Sequence, residues 1–60
     1  IEDGRANEGG GAIFFVSNNR TGTLAIDRST LRRNVSIRFQ NAPGIFFLGD
    51  RFVRSLAVIR

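Results

Sequence analysis

Sixty residues make at most one small domain, and a chain of this size buries only about 60% of the surface its unfolded form exposes. It contains neither Cys nor His, which excludes disulfides and an ordinary Cys/His zinc site as staples and leaves association with further copies, or with the remainder of a longer chain, as the route to stability. The net charge of +4 comes from nine Arg and no Lys against five acids, fixed cations whose planar fork suits carboxylates and phosphates.

Residues 1–11 are acidic and then glycine-rich, with Glu2, Asp3 and Glu8 ahead of Gly9-Gly10-Gly11. Three successive glycines predict a turn with positive φ or a close backbone approach, and no helix. The alternative is an anion-binding nest of successive amides at Glu8–Gly11. Ala12–Val16 is a short apolar run, bounded by Ser17-Asn18-Asn19, that reads as a strand covered on both faces. Asn18–Gly22 carries turn chemistry, and Thr23–Ile26 is a second strand with Leu24 and Ile26 on one face. Ser29–Arg33 offers at most one helical turn, because no apolar stripe of helical period extends it.

Val35, Ile37 and Phe39 then alternate with Ser36, Arg38 and Gln40, a period of two that predicts buried odd positions and exposed even ones. Asn41-Ala42-Pro43-Gly44 is the next turn. Gly44-Ile45-Phe46-Phe47-Leu48 then restates Ala12–Val16, and Ser55-Leu56-Ala57-Val58 restates Thr23–Ile26, both at an offset of 32 residues. Two blocks returning in one register, over 11–28 and 43–60, predict one supersecondary unit used twice. The fold class is all-β.

The run Glu8-Gly9-Gly10-Gly11-Ala12-Ile13-Phe14-Phe15, followed by Gly22-Thr23-Leu24-Ala25-Ile26 and Ser29-Thr30-Leu31-Arg32-Arg33-Asn34, resembles one coil of a right-handed parallel β-helix. The type is that of pectin-lyase-like and polymorphic outer-membrane-protein repeats, in which a GGAI strand precedes an LxIxxStFxxN strand. Ile1-Glu2-Asp3-Gly4 stands where Leu31-Arg32-Arg33-Asn34 stands later, at an offset of 30. The second copy departs from the pattern, reading Pro43-Gly44-Ile45 in place of Gly-Gly-Ala-Ile and Phe52-Val53 in place of the polar turn. The resemblance implies about two coils and a secreted or cell-surface parent. It also implies a polysaccharide or another macromolecular surface as partner.

Stacked coils bring equivalent residues into ladders, with Ile13 over Ile45, Phe15 over Phe47, Leu24 over Leu56 and Ile26 over Val58 expected inside. Phe14, Val16, Phe46 and Leu48 then face outward as a candidate self-association surface. Two coils leave two open strand edges, so a homo-oligomer or the rest of a longer chain is expected; refolding into a small β-barrel oligomer is the alternative.

The chemistry of catalysis is sparse. His, Cys, Lys and Tyr are missing, and no carboxylate pair has a convincing spacing, although Asp27 and Asp50 could meet in an assembly. No catalytic, metal or cofactor residue is expected. Arg32, Arg33 and Arg38 are the candidate anion contacts, for a polyanion or nucleic acid. Asn19-Arg20-Thr21 and Asn34-Val35-Ser36 fit the glycosylation acceptor pattern. Asn7 and Asn34 are alternatively turn asparagines of the kind that stack in ladders, the role favoured for Asn34. The longest apolar runs, such as the five residues Ala12–Val16, are far short of the ~20 needed to span a bilayer. With no leader pattern, the chain is expected to be soluble and a piece of a longer parent.

Overall fold

A computed structural model describes residues 1–60. The fold is all-β, with eight short strands: β1 (Arg5–Ala6), β2 (Ile13–Val16), β3 (Thr23–Asp27), β4 (Thr30–Leu31), β5 (Val35–Ser36), β6 (Ile45–Leu48), β7 (Arg51–Ser55) and β8 (Val58–Ile59). A single 3₁₀ turn occupies Asn18–Arg20. The strands pair as β1 with β5, β2 with β6, β3 with β7 and β4 with β8, every pair parallel. The chain thus visits four places in order and then visits them again, giving a slab of 29 × 27 × 12 Å. No helix is long and apolar enough to cross a membrane.

The register is not uniform around the slab, and loop length explains it. Ile13 pairs with Ile45 and Phe15 with Phe47, at the expected offset of 32. At the first place Arg5 pairs with Val35, and Glu2 bridges to Arg32, at an offset of 30. Between β3 and β7, however, Leu24 pairs with Phe52 and Ile26 with Arg54, an offset of 28. Six residues connect β2 to β3, whereas two connect β6 to β7, so the second visit arrives four residues early. The expected ladders of Leu24 with Leu56 and Ile26 with Val58 are therefore corrected.

Leu56 is displaced most by this shift. It stands at a corner with φ 54°, in the place that Arg28 (φ 47°) holds on the first visit, and is 79% exposed. Asp3 (φ 63°) and Arg33 (φ 57°) form a second matched pair of left-handed corners. Bends repeat at equivalent places because each visit must turn the chain there to regain the ladder.

The interior is small: Ile26, Leu31, Ala42 and Ile45 are buried, with Ile13, Leu24, Phe47, Phe52 and Ile59 packed against them. Phe15 stacks on Phe47 with centroids 5.3 Å apart, and Phe47 meets Phe52 at 5.5 Å. Offset and tilted aromatic contacts of this kind add to simple burial.

The alternation over 35–40 does not place its odd residues inside. Only Val35–Ser36 is strand, and Val35, Ile37 and Phe39 are exposed while Ser36 is half-buried. Ser36 is drawn inward because its Oγ accepts the amides of Gly10 and Gly11, at 3.0 and 3.1 Å. Those two donors occupy the glycine corner, with Gly10 at φ 78°. The amides that a nest would offer to an anion are thus taken by a hydroxyl.

Asn34 is buried and ties the two visits together: its Oδ1 accepts the Gly4 amide at 2.8 Å and its Nδ2 donates to the Ile1 carbonyl at 3.0 Å. A buried carboxamide bonded at both its oxygen and its nitrogen is no glycan acceptor. Asn7 and Asn19 are both exposed.

Candidate functional site

Four surfaces come out of this arrangement: the two edges of the slab, an outward aromatic cluster, and an arginine groove. The edges differ. In parallel pairing, successive residues of a strand aim their backbone groups at opposite neighbours. The carbonyls of Gly44 and Leu48 accept from Ile13 (3.2 Å) and Ser17 (2.8 Å), so Ile45 and Phe47 aim theirs away from β2. There the chain's own turn covers them. Asn41 donates to the Ile45 carbonyl at 2.8 Å, Ile45 donates to the Ala42 carbonyl at 2.9 Å, and Phe47 donates to Asn41 Oδ1. Gln40 Oε1 accepts the Gly44 amide at 2.9 Å and holds the base of the turn.

Gly44 permits the reversal. Its φ is 78°, and a Cβ there would lie 2.4 Å from Asn34 Cβ. Ile45 consequently has no exposed surface. On the first-visit side, Phe14 and Val16 aim their backbone groups away from β6, where no strand lies, and Ile13 is only partly buried.

At β7 the second visit carries Arg54 in register with buried Ile26, and its guanidinium lies 4.9 Å from the Phe52 ring centroid. A cation over an aromatic face gains from the ring quadrupole, and Arg54 stays exposed despite its pairing with Ile26.

The sequence-predicted outward face is brought together in part. Phe14 and Phe46 approach at 5.3 Å, with Phe14 58% exposed and Val16 beside it also exposed. Phe46 and Leu48 are half-buried. Phe39, assigned to the interior by its alternation, lies edge-on against Phe46 at 4.8 Å. It supplies part of the cover that Phe46 lacks in the sequence reading.

Of the candidate anion contacts, Arg32 and Arg33 are adjacent to carboxylates and Arg38 is separate. Arg32 Nε donates to Glu2 Oε2. Arg33 grips Asp3 with two bonds, Nε to Oδ1 at 2.7 Å and Nη2 to Oδ2 at 3.3 Å, and reaches Glu2 Oε2 at 3.2 Å. The Arg33 hydrogen bond, reinforced by the charges of Arg33 and Arg32, holds the Asp3 carboxyl below its ordinary range; the same bond raises the Arg33 guanidinium. Arg38 donates its backbone amide to the Glu8 carbonyl at 3.0 Å and forms no ion pair.

Arg60 was not singled out in the sequence. Its amide donates to the Leu31 carbonyl at 2.9 Å, placing it beside Arg32 at the rim of an open groove of about 550 Å³ shared with Arg33, Ser36 and Gln40. The signal that finds it is the 28-residue register, which loop lengths hide. Asp27 binds its neighbour Arg28 at 3.0 Å. Asp50 lies opposite Gly22 at the other end of the β3–β7 pair, so the two acids do not meet within the chain.

No protein family, no curated protein and no solved structure matches this chain.

Proposed function

We propose that this chain is a structural and interaction module: a two-coil segment of a parallel β-helix with one closed end and one open end. The second coil is the water-facing end of a stack. The first coil carries the edge that joins further β structure, either in a larger surface or secreted protein or in a second copy.

The contrast between Ile45 and Ile13 carries this reading. These two residues are paired one above the other, yet Ile45 is wholly buried beneath the Asn41–Ala42 turn while Ile13 is not. Strand edges are protected in soluble proteins by covering loops and by charge, and terminal units of stacked proteins present a polar outer face. The second coil has both: the turn over β6, and six arginines against one acid in residues 31–60, compared with three arginines and four acids in residues 1–30. The first coil's edge at Phe14 and Val16 has neither cover nor a charged gatekeeper on β2.

Solution mass by light scattering, with circular dichroism and amide hydrogen exchange on the same material, tests the reading. A β-rich, discrete assembly is expected, in which the Phe14 and Val16 amides gain protection as concentration rises while Phe47 stays unchanged. Association that protects Phe47 and leaves Phe14 and Val16 open would refute the assignment of the joining edge.

A further inference from the structure

We infer that the groove between Arg32, Arg33 and Arg60 is a binding site for a tetrahedral oxyanion, a phosphate or sulfate group. The inference stands on the second-visit end of the ladder and does not depend on what joins the first-visit edge.

Three passes of the chain meet at this place. Glu2 bridges to Arg32, and the β4–β8 register, Leu31 with Ile59, carried on by one residue sets Arg60 opposite Arg32. The order along the ladder is Glu2, Arg32, Arg60, with rungs ~4.8 Å apart. Like charges directly opposite one another in a sheet are destabilising. Arg32 is answered on one side by Glu2, whereas Arg60 forms no ion pair. Two guanidiniums thus sit on neighbouring rungs with a carboxylate on only one flank, and the groove opens on the other.

Besides Val35 and Pro43, the rest of the wall carries polar groups whose acceptors are already used. Ser36 Oγ accepts two amides, from Gly10 and Gly11, so its own hydrogen is free to point elsewhere. Gln40 Oε1 accepts the Gly44 amide, which leaves its NH₂ group available. Asn34 spends its Oδ1 on the Gly4 amide and an Nδ2 hydrogen on the Ile1 carbonyl. Arg32 uses Nε for Glu2 and keeps both terminal nitrogens, and Arg33 keeps Nη1. A groove of about 550 Å³ lined by guanidinium, hydroxyl and carboxamide donors is complementary to an oxyanion, since charge-assisted bonds to oxyanions are the strong ones. A cation or a neutral acceptor-poor ligand would leave those donors unanswered.

The test is a titration of the 60-residue chain, prepared as the C-terminal amide so that Arg60 adds no α-carboxylate to the groove, with inorganic phosphate, pyrophosphate and sulfate at constant ionic strength. It is followed by ¹⁵N–¹H correlation spectra that include the arginine Nε–H and Gln40 NH₂ signals. Saturable shifts confined to Arg32, Arg33, Ser36, Gln40 and Arg60 are expected. Arg60→Ala should weaken binding about tenfold, the worth of one charge-assisted bond. Arg51→Ala removes the same charge from β7 and should weaken it less than about twofold, the size of a screened, non-contacting charge. Gln40→Glu keeps an oxygen for the Gly44 amide, so the turn is retained, but brings a negative charge into the groove and should abolish the shifts. Tighter phosphate than sulfate binding points to a phosphate monoester as the natural group; the reverse order points to a sulfate ester. Shifts that do not saturate, that spread over all nine arginines, or that Arg51→Ala reduces as much as Arg60→Ala, would overturn the site.

Discussion

Phe47 donates its amide to Asn41 Oδ1, six residues upstream, and by that bond a side chain takes the place that a third strand would occupy beside β6. A strand edge finished by the chain's own turn no longer templates pairing. The polarity of the whole slab follows from it: the second visit ends in a turn, in Arg54 and in an arginine groove, and the first visit ends in a bare edge.

Asn41→Ala removes the acceptor while leaving the backbone bonds between Asn41, Ala42 and Ile45. It should cost about 1 kcal/mol, the net worth of one such bond, measured by urea unfolding. The Phe47 amide should exchange faster than that of Ile45, which keeps its backbone partner. Faster association through the uncovered edge is the accompanying expectation, read by light scattering.

Asn34→Ala leaves the Gly4 amide without its acceptor and removes one of the two donors to the Ile1 carbonyl, which keeps the Arg32 amide at 2.9 Å. One half-buried amide left unsatisfied costs about 1–3 kcal/mol. Against a total stability of about 0.05–0.15 kcal/mol per residue, the loss should lower the unfolding midpoint markedly, read by circular dichroism. Asn34→Asp retains the acceptor for Gly4 and should be milder at neutral pH.

The pairing of Arg33 with Asp3 predicts a dependence on acid. Asp3 titrates lower in the folded chain than in the unfolded one, so the folded state binds fewer protons and the contribution is present at neutral pH. It is lost as pH falls through the ordinary aspartate range and below. Thermal unfolding from neutral to strongly acidic pH should show the midpoints of the parent and of Asp3→Asn converge on the acid side. Added salt should narrow the gap at neutral pH, because the pair is exposed. A gap that persists unchanged in acid would assign the effect to something other than the carboxylate.

Leu56→Asn should stabilise the chain. A branched apolar residue at φ 54° is held in a conformation costing roughly 1–2 kcal/mol for L-residues, one that Asn tolerates better. Leu56 recovers little by burial at 79% exposure. A gain of about 1 kcal/mol, with reduced aggregation, is expected in denaturant unfolding. Leu24→Asn, at the position once aligned with it, should instead be destabilising, since Leu24 packs against the core.

Much of the strand content was legible because the signals were local. Ile13–Val16 and Ile45–Leu48 are apolar, aromatic and bounded by turn residues, and each became a strand paired in the register that their likeness indicates. The offset of 30 at Ile1–Gly4 was legible for the same reason. The similarity of Thr23–Ile26 to Ser55–Val58 misled, because likeness of sequence competes with geometry. Two connecting residues cannot span what six span, so β7 begins at Arg51. The alternation of Val35, Ile37 and Phe39 misled because only Val35–Ser36 is strand, and there Ser36 turns inward to accept the half-buried amides of Gly10 and Gly11, which leaves Val35 on the outer face.

The residues by themselves determined an all-β chain without staples, a basic surface of arginine, and two apolar strands matched at 32 residues, since composition and local periodicity act over a few residues at a time. Tertiary structure alone decided the shift to 28, the corner at Leu56, the covering of β6 by Asn41 and the meeting of Arg32 with Arg60. Each of these depends on how many residues a loop needs to return to the ladder and on which backbone groups remain unpaired when it arrives. These are sums over the whole circuit that no single segment records.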